Sequence, residues 1–221
     1  MAQASLFGSR ISPFVEKVVR ALALKRVPFV LSEPRSPRDF RRMNPQTGKM
    51  PVLDIDGERL YDSTLIVRRL DELVPEPPLL DADPRVAARQ RFVEDWSDES
   101  LYWYGMALRW SAANAAATAA QVAGTLPLPV FARPVVAAIL KRQIGGQARG
   151  QGLARLPLEV ILAELGRRLD ELIVLLAERP FFFADRPSVA DLALFGQTRM
   201  LLSGPTPQAE ALLAARPALG A

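Results

Sequence analysis

The groups able to do chemistry in this chain of 221 residues are restricted, because it contains neither cysteine nor histidine. Without thiolate or imidazole it cannot build a Ser-His-Asp triad, a Cys-His pair or a disulfide, and nearly every zinc site is excluded. We therefore predict no metal. Any catalysis must use hydroxyls, carboxylates and a cosubstrate that brings its own reactive group.

The first candidate group is a pair of hydroxyls, Ser9 and Ser12, where a short apolar strand leads into a helix that opens Ser12-Pro13. Serine is a favoured N-cap and proline a favoured first helical residue, so a structural cap is one interpretation. In the functional interpretation, the free N–H groups and positive end of the helix favour an anion, to which a hydroxyl donates. Such a site would lower the pKa of a bound thiol.

The second candidate is the polar loop 44–50, which enters a strand through Pro51. Proline weakens a strand, so we predict an edge position or a special backbone such as a cis Met50–Pro51 bond. With that bond cis, the Met50 backbone N–H and C=O could pair with an extended peptide ligand as a strand does. A plain proline between loop and strand is the alternative.

The third candidate is the sequence Tyr61-Asp62-Ser63-Thr64, which precedes a helix. Its hydroxyl and carboxylate could together hold the carboxylate and ammonium groups of an amino acid. An ordinary N-cap at Asp62 or Ser63 is the alternative.

The elements that would position these groups alternate between strands and helices. Apolar periodicity and turn residues predict strands at 4–7, 29–31, 51–55 and 58–61, and helices at 13–26, 38–43 and from Asp62 or Ser63 to the residue before Pro75. Asp56-Gly57 suits the two-residue turn of a hairpin between the last two strands. The predicted order is β-α-β-α-β-β-α.

A stretch rich in proline and acidic residues follows, and it predicts a domain boundary. We predict a first domain at 1–76, a linker at 77–84 and a helical domain at 85–221. A long helix is expected from Arg85 to about Val122, and another at 157–178. Between them, the glycines at 145–146 and 150–152 predict mobile connections.

The order of these motifs resembles that of the cytosolic glutathione transferase superfamily. The similarity covers about residues 6–73, through the Ser-Pro-Phe helix start, Gly-Lys-Met-Pro-Val-Leu and Asp-Ser-Thr, and it reappears at 186–195, where a Ser-x-x-Asp box precedes a helix. The resemblance implies a thioredoxin-like α/β domain followed by an all-α domain. Because Ser12 stands where omega-like members carry cysteine, the chain is similar to an omega/beta-like, bacterial-type member.

The same resemblance implies roles for the candidate residues. Met50, beside cis-Pro51, would hydrogen-bond the cysteinyl backbone of glutathione, Asp62 with Ser63 would hold the γ-glutamyl end, and Lys49 would lie near the glycyl carboxylate. Ser12, with Ser9 as the alternative, would stabilise the thiolate. Members that use a tyrosine hydroxyl on the first strand would need it near Phe7, so the resemblance does not imply a tyrosine mechanism. Mixed-disulfide activities should be absent, since the protein has no thiol.

Four aromatic residues and one methionine after the linker are available to line a pocket for a second substrate, and helix packing is the alternative for them. They are Tyr102, Trp103, Tyr104, Met106 and Trp110. The resemblance thus implies a glutathione S-transferase acting on a hydrophobic electrophile. A non-catalytic binding or scaffold module, and another glutathione-dependent enzyme such as an isomerase, dehalogenase or prostaglandin-synthase-like protein, are the alternatives.

Composition limits the partners. The formal charge of +4 comes from interleaved acidic and basic residues, which does not favour nucleic acid. Segment 126–140 is apolar but is interrupted by prolines and an arginine, so we predict no integral membrane span and leave a peripheral membrane contact open. The first residues lack a signal-peptide pattern, so a cytoplasmic location is expected. The resemblance implies a homodimer.

Overall fold

The computed structural model describes residues 4–219, apart from the Pro37 side chain, as two compact units. The first unit comprises the chain up to Asp98 and also Arg179–Gln197. The second comprises Glu99–Glu178 and the chain from Thr198 onward. The predicted linker 77–84 lies inside the first unit, so the division by compactness differs from the predicted domain boundary, which stays a prediction.

A mixed four-stranded sheet forms the centre of the first unit. Its strands are β1 (Ala4–Phe7), β2 (Phe29–Ser32), β3 (Val52–Ile55) and β4 (Glu58–Tyr61), in the order β2-β1-β3-β4. β1 and β2 are parallel, whereas β3 is antiparallel to both β1 and β4. Asp56 (φ 49°) and Gly57 (φ 81°) make the predicted hairpin turn with two positive φ angles.

The helices that complete this unit are α1 (Pro13–Leu24), α2 (Pro37–Met43), α3 (Ser63–Leu73) and α4 (Pro84–Trp96). The predicted order β-α-β-α-β-β-α is confirmed. Apolar side chains of the sheet, such as Leu6 and Leu53, pack with those of α1 and α3, such as Leu22 and Leu70, in one buried core. This core holds the ends of β1, β3 and β4 in fixed positions relative to α1 and α3.

A buried ion cluster also ties these helices together. Lys17 of α1 is fully buried, and its Nζ lies 2.5 Å from Oε1 of Glu94 and 2.6 Å from Oδ2 of Asp98. Nζ also donates to Oγ1 of Thr64 on α3, over 3.0 Å. Burial raises the pKa of Asp98, and the neighbouring Lys17 charge opposes that rise.

The Ser-x-x-Asp box has the capping geometry that the sequence predicts. The backbone N–H and the hydroxyl of Ser188 donate to Oδ2 of Asp191 over 2.8 and 2.7 Å, and the Phe182 N–H donates to Oδ1 over 2.9 Å. Burial raises the pKa of Asp191, and these three hydrogen bonds oppose that rise. The box therefore fixes the start of α9 (Val189–Leu202) and the chain that leads into it.

Helices make up the second unit. A π-helical turn, Ser97–Leu101, leads to them from α4, and they are α5 (Tyr102–Arg109), α6 (Ala115–Thr125), α7 (Arg133–Gln151), α8 (Leu158–Leu176), the end of α9, and α10 (Pro207–Ala214). No helix within residues 4–219 combines the length and apolar composition needed to cross a bilayer.

Two expectations for the second unit are wrong. The helix predicted from Arg85 to about Val122 is broken at the π-helical turn and again at 110–114, where the Asn114 side chain donates to the Leu108 carbonyl and competes with helical hydrogen bonding. Of the connections predicted at 145–146 and 150–152, residues 145–146 and 150–151 lie inside α7, and only Gly152, with a φ of 118°, ends the helix. That helix continues through its glycines because its inner face packs against Trp110 and Ala119.

Candidate functional site

The register of the sheet brings the three candidate motifs to one end of it. Phe7, the last residue of β1, pairs with Val52, the first residue of β3, and Val52 pairs with Tyr61, the last residue of β4. The chain leaves β1 through Gly8, enters β3 through Pro51 and leaves β4 through Asp62. The turn after β1 therefore meets two segments that are more than 40 residues further along the chain, at the same end of the sheet.

Gly8 makes this approach close. Its φ of +143° is suited to glycine, and a Cβ there would collide with Cγ2 of Val15 and lie 3.3 Å from Cβ of Met50. The turn before α1 thus contacts the Met50–Pro51 segment directly. Gly8 was not predicted as a site residue, although a glycine directly after a strand could have indicated this close approach.

Ser12 is the N-cap of α1, as predicted. Its Oγ accepts from the Val15 N–H over 3.5 Å, and its own N–H donates to the Ser9 carbonyl over 2.9 Å. Because Oγ acts as an acceptor in this cap, the hydroxyl proton can be directed to another group. Both serines are partly exposed, so both candidates for the thiolate contact remain.

The loop before Pro51 is organised by Asn44, which is only 3% exposed. Its Nδ2 donates to Oγ1 of Thr47 over 2.8 Å and to the Lys49 carbonyl over 2.9 Å, and its Oδ1 accepts from the Thr47 N–H over 3.1 Å. Asn44 therefore sets the path of the chain into Lys49 and Met50. The loop was predicted from the sequence but the role of Asn44 was not, although Asn-Pro-x-Thr is a turn pattern.

The Met50–Pro51 bond is cis, as predicted. The alternative of an edge strand is wrong, since β3 lies between β1 and β4. Among residues 4–219, the Met50 backbone N–H and C=O make no hydrogen bond. Lys49 is exposed and Met50 half-buried, so this backbone is accessible to a ligand.

Asp62 and Ser63 start α3. Asp62 is the N-cap, and its Oδ1 accepts from the N–H groups of Thr64 and Leu65 over 2.9 and 3.2 Å. Asp62 has a positive φ of 70°. Asp62 is exposed, whereas Ser63 is only 4% exposed. The capping interpretation of Asp62 is confirmed, and its carboxylate also faces solvent at the sheet end that carries Met50.

The residues predicted to line the second-substrate pocket lie in the helical unit. Met106 and Trp110 are 8% and 9% exposed and belong to its core, with Tyr102 and Trp103 packed against them. The Tyr102 and Trp103 rings meet edge to face, with centroids 5.2 Å apart, and burial raises the pKa of the Tyr102 hydroxyl. Packing thus occupies Met106 and Trp110, while Tyr102 and Trp103 keep some exposed surface.

Comparisons with known proteins agree with this arrangement. Residues 6–78 match the family model described as "Glutathione S-transferase, N-terminal domain". "Glutathione S-transferase U3" of Arabidopsis thaliana is 36% identical over 106 residues, which make up 46% of this chain and 47% of that protein. The chain thus spans about half the length of the curated relatives it matches.

Solved structures extend the likeness to nearly the full chain. Glutathione S-transferase III in its apo form has a TM-score of 0.67 at 19% identity, covering 99% of this chain and 88% of that one. The tau-class enzyme from mango, Mangifera indica L., has a TM-score of 0.54 at 21% identity, covering 97% and 90%. At these identities the likeness establishes a shared fold.

The relatives do not support the predicted omega/beta-like subgroup, because curated proteins that the chain matches, such as U3 and U2 of Arabidopsis thaliana, are plant glutathione S-transferases, and the mango protein is of the tau class. The predicted combination of a thioredoxin-like domain with a helical domain is confirmed. Residues 6–78 thus match the glutathione S-transferase N-terminal domain, and the chain as a whole has the glutathione S-transferase fold.

Proposed function

We propose that this chain binds glutathione at the sheet end where Gly8, Met50 and Asp62 meet, and that it transfers the glutathione thiol to a hydrophobic electrophile. The observation that carries the proposal is that the three motifs converge at one end of the sheet, inside the region that matches the family model. Glutathione is then a cosubstrate that supplies the thiol this protein lacks.

The backbone around Met50 supports the binding half of the proposal. Its N–H and C=O have no partner among the described residues, so they can pair with the cysteinyl backbone of glutathione as in strand addition. The exposed Lys49 ammonium suits the glycyl carboxylate. Asp62 and Ser63, at the end of β4, are assigned to the γ-glutamyl group.

The chemistry assigned to Ser12 follows from its position at the start of α1. The thiol of bound glutathione loses its proton to water, and the Ser12 hydroxyl and the positive end of the helix stabilise the resulting thiolate. The sulfur electron pair then forms a bond to the electrophilic carbon, and the leaving group departs with its bonding pair. Ser9 takes this role in the alternative assignment.

Further parts of the proposal rest on the family alone. We assign the second substrate to the surface around Tyr102 and Trp103, and we include Met106 and Trp110 as residues that support it from the core. A homodimer, a cytoplasmic location and a tau-like character are proposed on the same grounds. A non-catalytic module with the same fold is the competing function.

Calorimetric titration with reduced glutathione and S-hexylglutathione tests the binding half. We expect saturable binding to the wild type and binding to Ser63→Ala that is weaker by roughly tenfold or more, because a hydrogen bond to a charged group contributes about 1.5–3 kcal/mol and about 1.4 kcal/mol corresponds to tenfold. No binding to the folded wild type would refute both the site and the enzyme, and it would favour the non-catalytic module.

The thiolate half is tested by the ultraviolet difference spectrum of bound glutathione as a function of pH. Ser12→Ala should raise the pKa of the bound thiol by roughly one to two units, since a hydrogen bond to a charged group contributes about 1.5–3 kcal/mol. Ser36→Ala, which removes the N-cap of α2 in the same unit, is the matched control and should leave that pKa unchanged. An unchanged pKa in Ser12→Ala with a raised one in Ser9→Ala would transfer the role to Ser9.

A further inference from the structure

The second unit contains a long stretch with charge of one sign. The 59 residues from 100 to 158 include six Lys and Arg residues and no Asp or Glu. Elsewhere the chain interleaves the two signs, as in the ion pairs of Arg69 with Glu58 and Glu72. Within this stretch, therefore, no acidic side chain offsets the charge of the basic ones.

Two of the three most exposed large apolar side chains of the helical unit lie in the same stretch. Segment 126–132 connects α6 to α7, which pack on each other, so a connection this short lies at the tip of a helical hairpin. Val130 and Phe131, at this tip, are 75% and 84% exposed. Two neighbouring apolar side chains exposed at one tip begin a contiguous patch, and contiguous apolar patches are typical of interaction sites.

The outer face of α7 continues the patch. Val135, Ile139 and Arg142 recur at spacings of four and three, which places them on one side of the helix, and all three are exposed. Leu140 and Ile144 face the other way and pack in the core with Trp110. The apolar tip is thus followed along one stripe by Val135, Ile139 and the basic Arg142.

The basic side chains midway along α7 make no ion pair among the described residues. Lys141 and Arg142 are exposed, and among the described residues neither forms an ion pair or hydrogen bond. We call Val130, Phe131, Val135 and Ile139, with Lys141 and Arg142, the hairpin patch. It combines a wedge of apolar groups with positive charge and no negative charge.

We propose that the hairpin patch docks this protein on the surface of a membrane rich in anionic phospholipid. Apolar groups at the tip would enter the boundary between headgroups and acyl chains, and the two cations would face the lipid phosphates. Charge selects this occupant over a second copy, because two identical patches would bring like charges together. The contact is peripheral, and it does not depend on glutathione binding.

Cosedimentation with large unilamellar vesicles tests the proposal. The full chain should sediment with vesicles of equimolar phosphatidylserine and phosphatidylcholine, much less with phosphatidylcholine alone, and less as salt is added. The double variant Lys141→Gln/Arg142→Gln should bind roughly 30-fold more weakly, given about fivefold per charge near an anionic surface. Phe131→Ser should weaken binding roughly tenfold or more by removing the apolar tip.

Matched variants distinguish binding through the hairpin patch from non-specific adsorption to vesicles. Phe92→Ser removes another phenylalanine that is 77% exposed, and Arg85→Gln/Arg89→Gln removes two exposed charges from α4; neither should change vesicle binding. Equal binding by Phe131→Ser and Phe92→Ser, or no binding of the wild type to anionic vesicles, would overturn the proposal. Self-association that Phe131→Ser abolishes, without vesicle binding, would instead assign the patch to a second copy.

Discussion

Lys17→Met should destabilise this protein far more than an ordinary surface substitution. The Nζ of Lys17 is fully buried within 2.6 Å of a carboxylate oxygen on each of Glu94 and Asp98. Methionine fills much of the space of the lysine stem, so the loss is mainly electrostatic. Breaking a buried ion pair from one side costs about 3–5 kcal/mol, because the remaining charge is buried without a partner.

The pH dependence of that loss has a definite sign. Burial raises the pKa of Asp98 above its usual value, although Lys17 opposes the rise. A carboxyl with a raised folded pKa contributes stability that is present below its unfolded pKa and is lost as pH rises through the folded pKa. Removing Lys17 should raise the folded pKa further, so the deficit of Lys17→Met should shrink between pH 7 and pH 5.

Urea unfolding of the wild type and the variant at both pH values measures this effect. Lys141→Met, at an exposed lysine, is the control and should change the free energy of unfolding by less than about 0.5 kcal/mol. The triple variant Lys17→Met/Glu94→Gln/Asp98→Asn should recover part of the loss, because it removes the stranded charges. A deficit below about 1 kcal/mol at pH 7, or one that grows toward pH 5, would refute the reasoning.

Two further predictions concern the loop and the helical unit. Asn44→Ala should cost about 2–3 kcal/mol in urea unfolding by removing three hydrogen bonds of a buried side chain, and it should weaken S-hexylglutathione binding in calorimetry; unchanged affinity would show that Asn44 does not position Met50. Gly146→Ala should stabilise the protein by about 0.5–1 kcal/mol in thermal unfolding, since a Cβ there meets no atom within 4 Å; destabilisation would contradict a helix through this residue.

Local patterns predicted the first unit well. Ser12-Pro13 and Asp62 mark helix starts by hydrogen bonds that span only two or three residues, and Asp56-Gly57 marks a turn by its own φ angles. The same locality explains the errors in the second unit. A glycine-containing segment becomes helical in α7 because residues far away in the sequence bury its inner face. The residues next to it in the sequence do not indicate that burial.

The sequence by itself determined which chemistry is available, because the absence of cysteine and histidine leaves the reactive thiol to a cosubstrate. It also determined the order of strands and helices in the first unit, since periodicity and caps act over short distances. Only the tertiary structure decided that the turns at Gly8, Met50 and Asp62 meet at one end of the sheet. It alone also decided that Met106 and Trp110 belong to a core. Both results depend on strand register and packing between residues far apart in the chain, which no local pattern encodes.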